Sequence, residues 1–145
     1  MESIVIVKQN EPVAKIMSTE LKSVHVEQKV SDARRLLADN PFDHLPVLSG
    51  KKLVGMLSSR DLLRVTFDAK NTDTRSTDAV LDNSFTIAGI MKTSVATIKS
   101  SDTIRHAAEL LAKGDFDSLP VVEDSGDVVG IVTTTDLIRY LVDQY

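Results

Sequence analysis

The chain carries one stretch twice: LVGMLSSRDL at 53–62 and VVGIVTTTDL at 128–137. In each copy a glycine lies within an apolar run, a hydroxyl residue follows three positions after the glycine, and an aspartate follows three positions after that. Alternating β-branched and apolar residues are typical of a strand, whereas a hydroxyl residue followed by an acid is typical of a helix start. The stretch therefore predicts a strand that turns directly into a helix, at two places in the chain.

The similarity continues outward from these stretches at a nearly fixed spacing. AKIMST at 14–19 aligns with AGIMKT at 88–93, ARRLLA at 33–38 with AAELLA at 107–112, and FDHLPV at 42–47 with FDSLPV at 116–121, always 74 residues apart. One inserted residue in a turn of the second copy raises the spacing to 75 for the opening stretch. Matches in the same order at one spacing indicate an internal repeat.

Each copy predicts the order β-α-β-β-α, and the fold class is α+β. Short β-branched segments predict strands at 24–26 and 95–98, and helical apolar spacing predicts helices over 30–37 and 104–111. Asp102 is the expected N-cap of the second of these helices, and Gly114 its stop. Hairpins are predicted at 45–57 and 119–132, followed by helices at 59–67 and 134–145.

The repeat also predicts the domain organisation. We expect an N-terminal extension at 1–11, the first repeat at 12–67, a polar linker at 68–85 and the second repeat at 86–145. A single repeat of about 55–60 ordered residues buries little surface by itself. We therefore expect the two repeats to pack about a pseudo-twofold axis into one module, with two related clefts between them, where ligands tend to bind.

Composition excludes several function classes. The chain has 145 residues, 17 Lys+Arg against 21 Asp+Glu, a net charge of −4 and no cysteine. It therefore has neither a disulfide framework nor a thiol nucleophile nor a thiolate zinc site. An acidic chain with only 4% aromatic residues is not expected to bind nucleic acid. The apolar run Ile4–Val7 is too short for a signal peptide or a membrane span, so we expect a cytoplasmic protein without membrane contact.

The Gly-x-x-Ser/Thr-x-x-Asp pattern has two interpretations that the sequence leaves open. Ser58 with Asp61, and Thr133 with Asp136, match the spacing of a capping box that closes a helix start. The same groups suit a nucleotide, because a carboxylate accepts ribose hydroxyls, while a hydroxyl and the free N–H groups of a helix start bind phosphate. The two interpretations are compatible, and a ribose contact from either aspartate would distinguish them.

Other candidate residues are few. Arg64 and Arg139 follow the two aspartates at the spacing of surface ion pairs. His44, which precedes a predicted buried strand, either donates to a phosphate or only lies at the strand edge. His25 and His106 have no partner at metal-ligand spacing, so no metal site is expected. Glycine-rich phosphate loops and a nucleophile elbow are absent from the sequence, which argues against an enzyme.

Taken together, the repeated motifs resemble a tandem pair of CBS domains, also called a Bateman module. The motifs are IM at 16–17, LPV at 45–47 and GMLSSRDL at 55–62, and in the second copy IM at 90–91, LPVV at 119–122 and GIVTTTDL at 130–137. The resemblance covers the chain from about residue 12 to 141. It implies two clefts that bind adenosine ligands (AMP, ADP or ATP, with S-adenosylmethionine or NAD as others) and a homodimer.

The resemblance also implies the site residues. One cleft would hold ribose and phosphate on Asp136 and Thr133, with Ile131 beside the base, and its other wall would be Met17, Lys22, Phe42 and Asp43. The second cleft would set Asp61, Ser58, Met56 and His44 opposite Met91, Ala96, Phe116 and Asp117. Ser118 stands where the first copy has His44, so the clefts are expected to differ in phosphate count. Asp43 and Asp117 would repel phosphate if they point inward.

These expectations favour a sensor without catalytic activity. Because the pair takes up the whole length, we expect a stand-alone module that binds an adenine nucleotide and signals to a regulated protein in trans. The alternative is a constitutive dimerisation or scaffold module that binds no ligand.

Overall fold

The structure is a computed structural model that describes residues 10–41, 43–69 and 74–145. Helices and strands both occur, as the predicted α+β class requires. The helices are α1 (Val30–Asp39), α2 (Ser59–Ala69), α3 (Thr74–Ser84), α4 (Ile87–Ile90), α5 (Ile104–Ala112) and α6 (Thr134–Asp143), with a 3-10 turn at Val13–Lys15. The strands are β1 (Val24–His25), β2 (His44–Ser49), β3 (Lys52–Ser58), β4 (Ser118–Val122) and β5 (Val128–Thr133). Within the described ranges, no helix has the length and apolar character to cross a bilayer.

The chain divides into two compact units. The first unit is Lys22–Val95, and the second joins residues up to Leu21 with Ala96–Tyr145. Each unit thus contains the sheet of one sequence repeat and the segment that opens the other repeat. The repeat boundaries, drawn from similarity alone, stay a prediction.

The sheet of the first unit has the order β1-β2-β3, with β1 parallel to β2 and β2 antiparallel to β3. Gly50 adopts a φ of 63° in the tight turn between β2 and β3, a conformation that favours glycine. Leu45, Val47 and Leu57 point to one face of this sheet and are fully buried. They pack against apolar residues of the helices, including Val30, so that face is the core of the unit.

The second unit repeats this arrangement with its first strand reduced. β4 and β5 form the predicted hairpin. Ile98 pairs in parallel with Val121, as Val24 pairs with Val47 in the first unit, but 95–97 do not form the predicted strand. Gly114, with a φ of 81°, follows the end of α5 as expected.

One predicted helix cap is wrong. The N-cap of α5 is Thr103, whose hydroxyl accepts the N–H of His106 at 3.0 Å, and not Asp102. The Asp102 carboxylate is already engaged in the preceding turn, where it accepts the N–H of Lys99 at 2.8 Å.

The predicted linker contains a helix, α3, that the sequence analysis does not anticipate. Leu81 is fully buried in the core of the first unit, and Asp82 bonds to Ser31 at the start of α1. One turn earlier on α3, Asp78 Oδ1 lies 3.6 Å from the Arg34 guanidinium of α1. The segment therefore packs as part of the first unit.

Candidate functional site

Ser58 and Asp61 cap the start of α2 reciprocally. Ser58 Oγ accepts the N–H of Asp61 at 3.0 Å, and Asp61 Oδ2 accepts the N–H of Ser58 at 3.1 Å. This is the capping box that the spacing predicts, formed where β3 turns into the helix. Asp61 is only 4% exposed, so the cap fixes a nearly buried carboxylate at the strand-to-helix turn.

The second unit has the same arrangement at the start of α6. Thr133 Oγ1 accepts the N–H of Asp136 at 3.1 Å, and Asp136 Oδ2 accepts the N–H of Thr133 at 2.9 Å. The capping interpretation is thus confirmed in both copies. A ribose contact from either aspartate stays a prediction.

The second oxygen of each aspartate faces an arginine. Asp61 Oδ1 lies 3.5 Å from Arg64, and Asp136 Oδ1 lies 3.6 Å from Arg139, which confirms the predicted ion pairs. Both arginine side chains are 69% exposed, so solvent screens each ion pair on the arginine side. Since a carboxylate offers about four acceptor positions, each aspartate keeps capacity for further hydroxyl donors.

The expectation of free N–H groups at these helix starts is wrong for two groups in each copy. The N–H of Ser59 donates to the Asp43 carbonyl at 2.8 Å, and the N–H of Thr134 donates to the Asp117 carbonyl at 3.0 Å. The aspartate N–H groups are taken by the capping hydroxyls. Two N–H groups at each helix start thus already have acceptors within the protein.

A glycine in β3 and a glycine in β5 each allow another chain segment to approach the strand closely. A Cβ on Gly55 would lie 2.5 Å from the sulfur of Met91, and a Cβ on Gly130 would lie 2.7 Å from the sulfur of Met17. The methionine side chains can move aside, but the added Cβ would also lie 2.9 Å from the Lys92 carbonyl oxygen at Gly55 and 3.0 Å from the Ser18 carbonyl oxygen at Gly130, so glycine is favoured at this close approach. The structure thus brings the predicted site residue Met91 beside β3, and Met17 beside β5.

In the first unit, polar and basic side chains share the sheet face opposite the core. His44 pairs with Ser58 across β2 and β3, and Met56 pairs with Lys92, the two residues exchanging backbone hydrogen bonds at 2.9 Å. Directly paired residues project to the same face, as do residues two apart on a strand. His44, Met56, Ser58 and Lys92 therefore line one face, next to Asp61.

In the second unit, the same face carries no basic group at the matching positions. Ser118 pairs with Thr133, and Ile131 pairs with Ser18 through backbone hydrogen bonds of 2.8 and 2.9 Å. Ser18 thus occupies the position of Lys92, and Ser118 that of His44. The two faces share a geometry but differ by one lysine and one histidine.

The other predicted site residues divide between the units. Lys22 and Asp43 lie in the first unit, whereas Asp136, with which the resemblance places them in one cleft, lies in the second unit. Three of the residues predicted to lie opposite Asp61 in the other cleft belong to the second unit: Ala96, Phe116 and Asp117. Their assignment to shared clefts stays a prediction, and Phe42 lies outside the described residues.

Sequence reasoning missed Ser18 and Lys92, although a signal was present. The two residues stand at the same position of the repeat, directly after Met17 and Met91, and differ in charge. A position where two copies differ by a full charge is a candidate for ligand discrimination. Among the described residues, no group of three or more histidine or acidic side chains is arranged to hold a metal ion.

Comparison with known proteins places these features in one family. The sequence profile of the CBS domain matches the chain twice, over residues 13–68 and 87–143. Protein MJ1225 of Methanocaldococcus jannaschii is 30% identical over 114 residues, which are 78% of this chain and 41% of MJ1225. An inosine-5'-monophosphate dehydrogenase of Korarchaeum cryptofilum is 31% identical over 79% of this chain and 21% of the enzyme. The chain thus spans less than half the length of these curated relatives.

Solved structures show the same fold. CBSX2 of Arabidopsis thaliana, determined in complex with AMP, is 27% identical with a TM-score of 0.76, and the match covers 92% of this chain and 97% of CBSX2. The CBS domain pair of protein MJ0100, determined with 5'-methylthioadenosine and S-adenosyl-L-methionine, is 28% identical with a TM-score of 0.71. That match covers 90% of this chain and 98% of the domain pair.

Proposed function

Because the chain belongs to the CBS-domain family and carries two copies of the domain in tandem, we propose that it is a regulatory module that binds an adenosine-containing nucleotide. The ligands that fit best are AMP, ADP and ATP, with S-adenosylmethionine and NAD as alternatives. The structures of CBSX2 and of the MJ0100 domain pair, which match almost the whole of this chain, were determined with AMP and with S-adenosyl-L-methionine, respectively. The module would act on a regulated protein in trans.

The observation that carries this proposal is the duplicated carboxylate at the strand-to-helix turn. Asp61 and Asp136 are each held by a backbone N–H through one oxygen and keep acceptor capacity on the other. A fixed carboxylate can accept both hydroxyls of a ribose. In this proposal Ser58 and Thr133 donate their hydroxyl protons to phosphate, since each hydroxyl oxygen acts as the acceptor of the capping N–H and its own proton is a separate donor.

We further propose that the two sites differ in the number of phosphates they prefer. His44 and Lys92 line the first-unit face, whereas Ser118 and Ser18 stand at the matching positions of the second unit. A lysine cation next to a phosphate strengthens binding more for each added negative charge, and a histidine N–H adds a hydrogen-bond donor. The first unit would favour ATP or ADP, and the second unit would favour AMP or an uncharged adenosine compound.

A catalytic role is not part of the proposal. In the described part of the chain, the Ser58 and Thr133 hydroxyl groups accept the capping N–H groups, and the carboxylates next to them are bound to N–H groups as well. The dehydrogenase relative matches over only 21% of its own length. The likeness therefore supports a regulatory part and not the activity of the larger enzyme.

A second candidate function, constitutive dimerisation, is favoured by exposed apolar side chains on two helices. Leu63 and Phe67 on α2 are 65% and 79% exposed, and Ile138 and Val142 on α6 are 57% and 64% exposed. Apolar side chains clustered on one helix are frequently covered by another chain. A homodimer that forms equally with and without nucleotide would favour the scaffold function, and sedimentation velocity measures this directly.

Calorimetric titration with AMP, ADP, ATP, S-adenosylmethionine and NAD tests the nucleotide proposal. The informative variants are Asp61→Asn and Asp136→Asn, because asparagine keeps an acceptor for the capping N–H but loses the charge. Each substitution should weaken binding at its own site about tenfold or more, the usual effect of losing a charged hydrogen bond. The double variant should bind no ligand at micromolar concentrations.

Asp32→Asn is the matched control. The Asp32 carboxylate accepts the N–H of Lys29 at 3.1 Å at the start of α1, the same kind of bond outside the candidate sites. This variant should lose a similar amount of stability and no affinity. The proposal fails if none of the five compounds binds, or if the double variant binds as tightly as the wild type.

A further inference from the structure

The two helices that begin at the proposed ribose carboxylates are anchored differently. α2 buries Asp61, Leu62 and Val65 in the first unit. All of α6 lies in the described part of the chain, and none of its residues is fully buried. Leu137 packs against the core of the second unit, but only as a partly buried residue. α6 therefore depends less on apolar packing than α2 does, and its polar contacts matter more for its position.

Beyond its first turn, α6 is bonded through Tyr140 to the segment 11–18 of the same unit. The Tyr140 hydroxyl donates to Glu11 Oε2 at 2.5 Å, while Glu11 Oε1 lies 3.3 Å from Lys15 Nζ. The Glu11 carbonyl accepts the N–H of Ile104 at 2.8 Å, and the neighbouring Val13 is fully buried in the core of the unit. Glu11 is thus a fixed acceptor, held in place independently of the helix that it anchors.

The first unit has an apolar pair at the equivalent positions. The repeat spacing places Val65 where α6 has Tyr140, and Phe85 where the segment 11–18 has Glu11. Val65 belongs to the buried core of the first unit, and Phe85 packs against that core. A hydrogen-bonded pair in the second unit thus stands where the first unit uses apolar packing. In both helices this position follows the capping aspartate by four residues, about 6 Å along the helix axis.

We propose that Tyr140 is a positioning residue for the second-unit site, because its bond to Glu11 fixes α6 and with it the Asp136 carboxylate that would accept the ribose hydroxyls. This inference rests on the proposed nucleotide function. The start of α6 is tied to the sheet, where the N–H of Thr134 donates to the Asp117 carbonyl at 3.0 Å. The bond of Tyr140 adds a second attachment one turn further along. Two attachments fix the direction of the helix axis, whereas with the first alone the helix can pivot and carry Asp136 out of place.

Two ligands that differ only in their ribose hydroxyls test this inference. The background is Asp61→Asn, which reports the second-unit site, and the probes are AMP and 2′,3′-dideoxy-AMP in calorimetric titration. Tyr140→Phe removes only the hydroxyl and should weaken AMP binding about fivefold, an effect of the size seen between residues coupled through shared contacts. Affinity for the dideoxy compound should hardly change, because that ligand offers no hydroxyls to Asp136. Glu11→Gln keeps an acceptor for the Tyr140 hydroxyl and should retain most of the AMP affinity.

Two controls separate positioning from a general loss of stability. In an Asp136→Asn background, which reports the first-unit site, Tyr140→Phe should leave AMP affinity unchanged. Hydrogen exchange of the ligand-free protein should be about tenfold faster for the amides of α6 in Tyr140→Phe, and unchanged for those of α2.

The outcomes distinguish this inference from the nucleotide proposal on which it rests. Tyr140→Phe may not weaken AMP selectively: if it weakens AMP and the dideoxy compound equally, or neither, the positioning role is overturned while the nucleotide proposal stands. Unchanged exchange of α6 would overturn the positioning role as well. If the wild type binds neither compound, or binds both equally, the ribose function of Asp136 is what has failed, and the role of Tyr140 falls with it even where α6 exchanges faster.

Discussion

The carboxylate of Asp82 caps α1 by binding Ser31, accepting its N–H at 2.9 Å and its hydroxyl at 2.7 Å. The N-cap position of this helix is Lys29, and a lysine side chain has no acceptor for the first N–H groups. The helix therefore takes an acceptor from a residue 51 positions later in the chain. Because Ser31 is only 2% exposed, water cannot replace that carboxylate without a rearrangement.

Asp82→Ala should lower the free energy of unfolding by about 2 kcal/mol, because it leaves a buried N–H and a buried hydroxyl without their acceptor. Asp82→Asn keeps one acceptor oxygen and should cost about half as much. Urea denaturation of both variants measures the difference. Asn83→Ala, at the exposed neighbouring position of α3, serves as the control and should be nearly neutral. A loss below about 0.5 kcal/mol for Asp82→Ala would contradict the capping role.

Gly55→Ala should destabilise the protein by about 1–3 kcal/mol, the usual range for overpacking. The added Cβ would meet the Met91 sulfur at 2.5 Å and the Lys92 carbonyl oxygen at 2.9 Å. The methionine side chain can move aside, but the carbonyl is fixed by its bond to Met56. Adding Met91→Ala should therefore rescue only part of the loss in thermal denaturation.

A control for this effect is Gly89→Ala. Its nearest neighbour is the Thr86 hydroxyl at 3.1 Å, and Gly89 lies within the short helix α4, where alanine is preferred. This variant should be close to neutral. If both glycine substitutions cost the same, the close approach of the 91–92 segment to β3 is not what requires Gly55.

Tyr140 should contribute a stability that disappears in alkali. The hydrogen bond to the Glu11 carboxylate, with help from partial burial and the negative charge, raises the pKa of the Tyr140 phenol above its ordinary value. A pKa raised by folding means that the contribution is complete below the unfolded value of about 10 and is lost as pH rises through the folded value. The difference in unfolding free energy between wild type and Tyr140→Phe should thus be constant from pH 7 to about pH 9.5 and shrink above it.

Tyr145→Phe provides the comparison, since its side chain is 82% exposed at the end of the chain. Urea denaturation in a pH series should give no difference from wild type for this variant at any pH. A Tyr140→Phe effect that grows in alkali would have the wrong sign for a phenol donating to Glu11.

The sequence predicts the local features of the fold well, because their causes are local. Alternating apolar residues at 45–48 and 53–57 identify the β2–β3 hairpin, and the three-residue spacing of Ser58 and Asp61 identifies the cap. These patterns reflect sterics and hydrogen bonds between near neighbours. The same reasoning transfers to the second copy through the repeat spacing.

Features that depend on distant or competing contacts were not predictable. Asp102 and Thr103 are adjacent good N-caps, and the choice follows from the bond of Asp102 to Lys99. α3 has too few apolar positions to show a period, and its place is set by burial of Leu81. Likewise, nothing in the repeat indicates that 10–21 belongs with the second copy's sheet, which is what brings Ser18 beside Ile131.

The equivalent positions of Ser18 and Lys92 allow a direct test of the proposed difference between the two sites. In an Asp136→Asn background, which reports the first-unit site, ATP should bind more tightly than AMP. Lys92→Ser then gives the first unit the residue that the second unit has at Ser18. His44→Ser does the same for Ser118. Loss of the Lys92 cation should reduce the ATP-to-AMP affinity ratio about tenfold at low salt, and less at high salt because the interaction is screened. Loss of the His44 N–H donor should lower the ratio in the same direction.

The reciprocal substitution introduces the cation into the second unit. In an Asp61→Asn background, which reports the second-unit site, Ser18→Lys should raise affinity for ATP while leaving adenosine affinity nearly unchanged. The lysine would stand where Lys92 stands in the first unit, on the same sheet face as the capping hydroxyl. Calorimetry with adenosine, AMP and ATP at two salt concentrations measures both directions. An ATP-to-AMP ratio that neither substitution moves would mean that phosphate recognition does not involve this face, even where adenosine still binds.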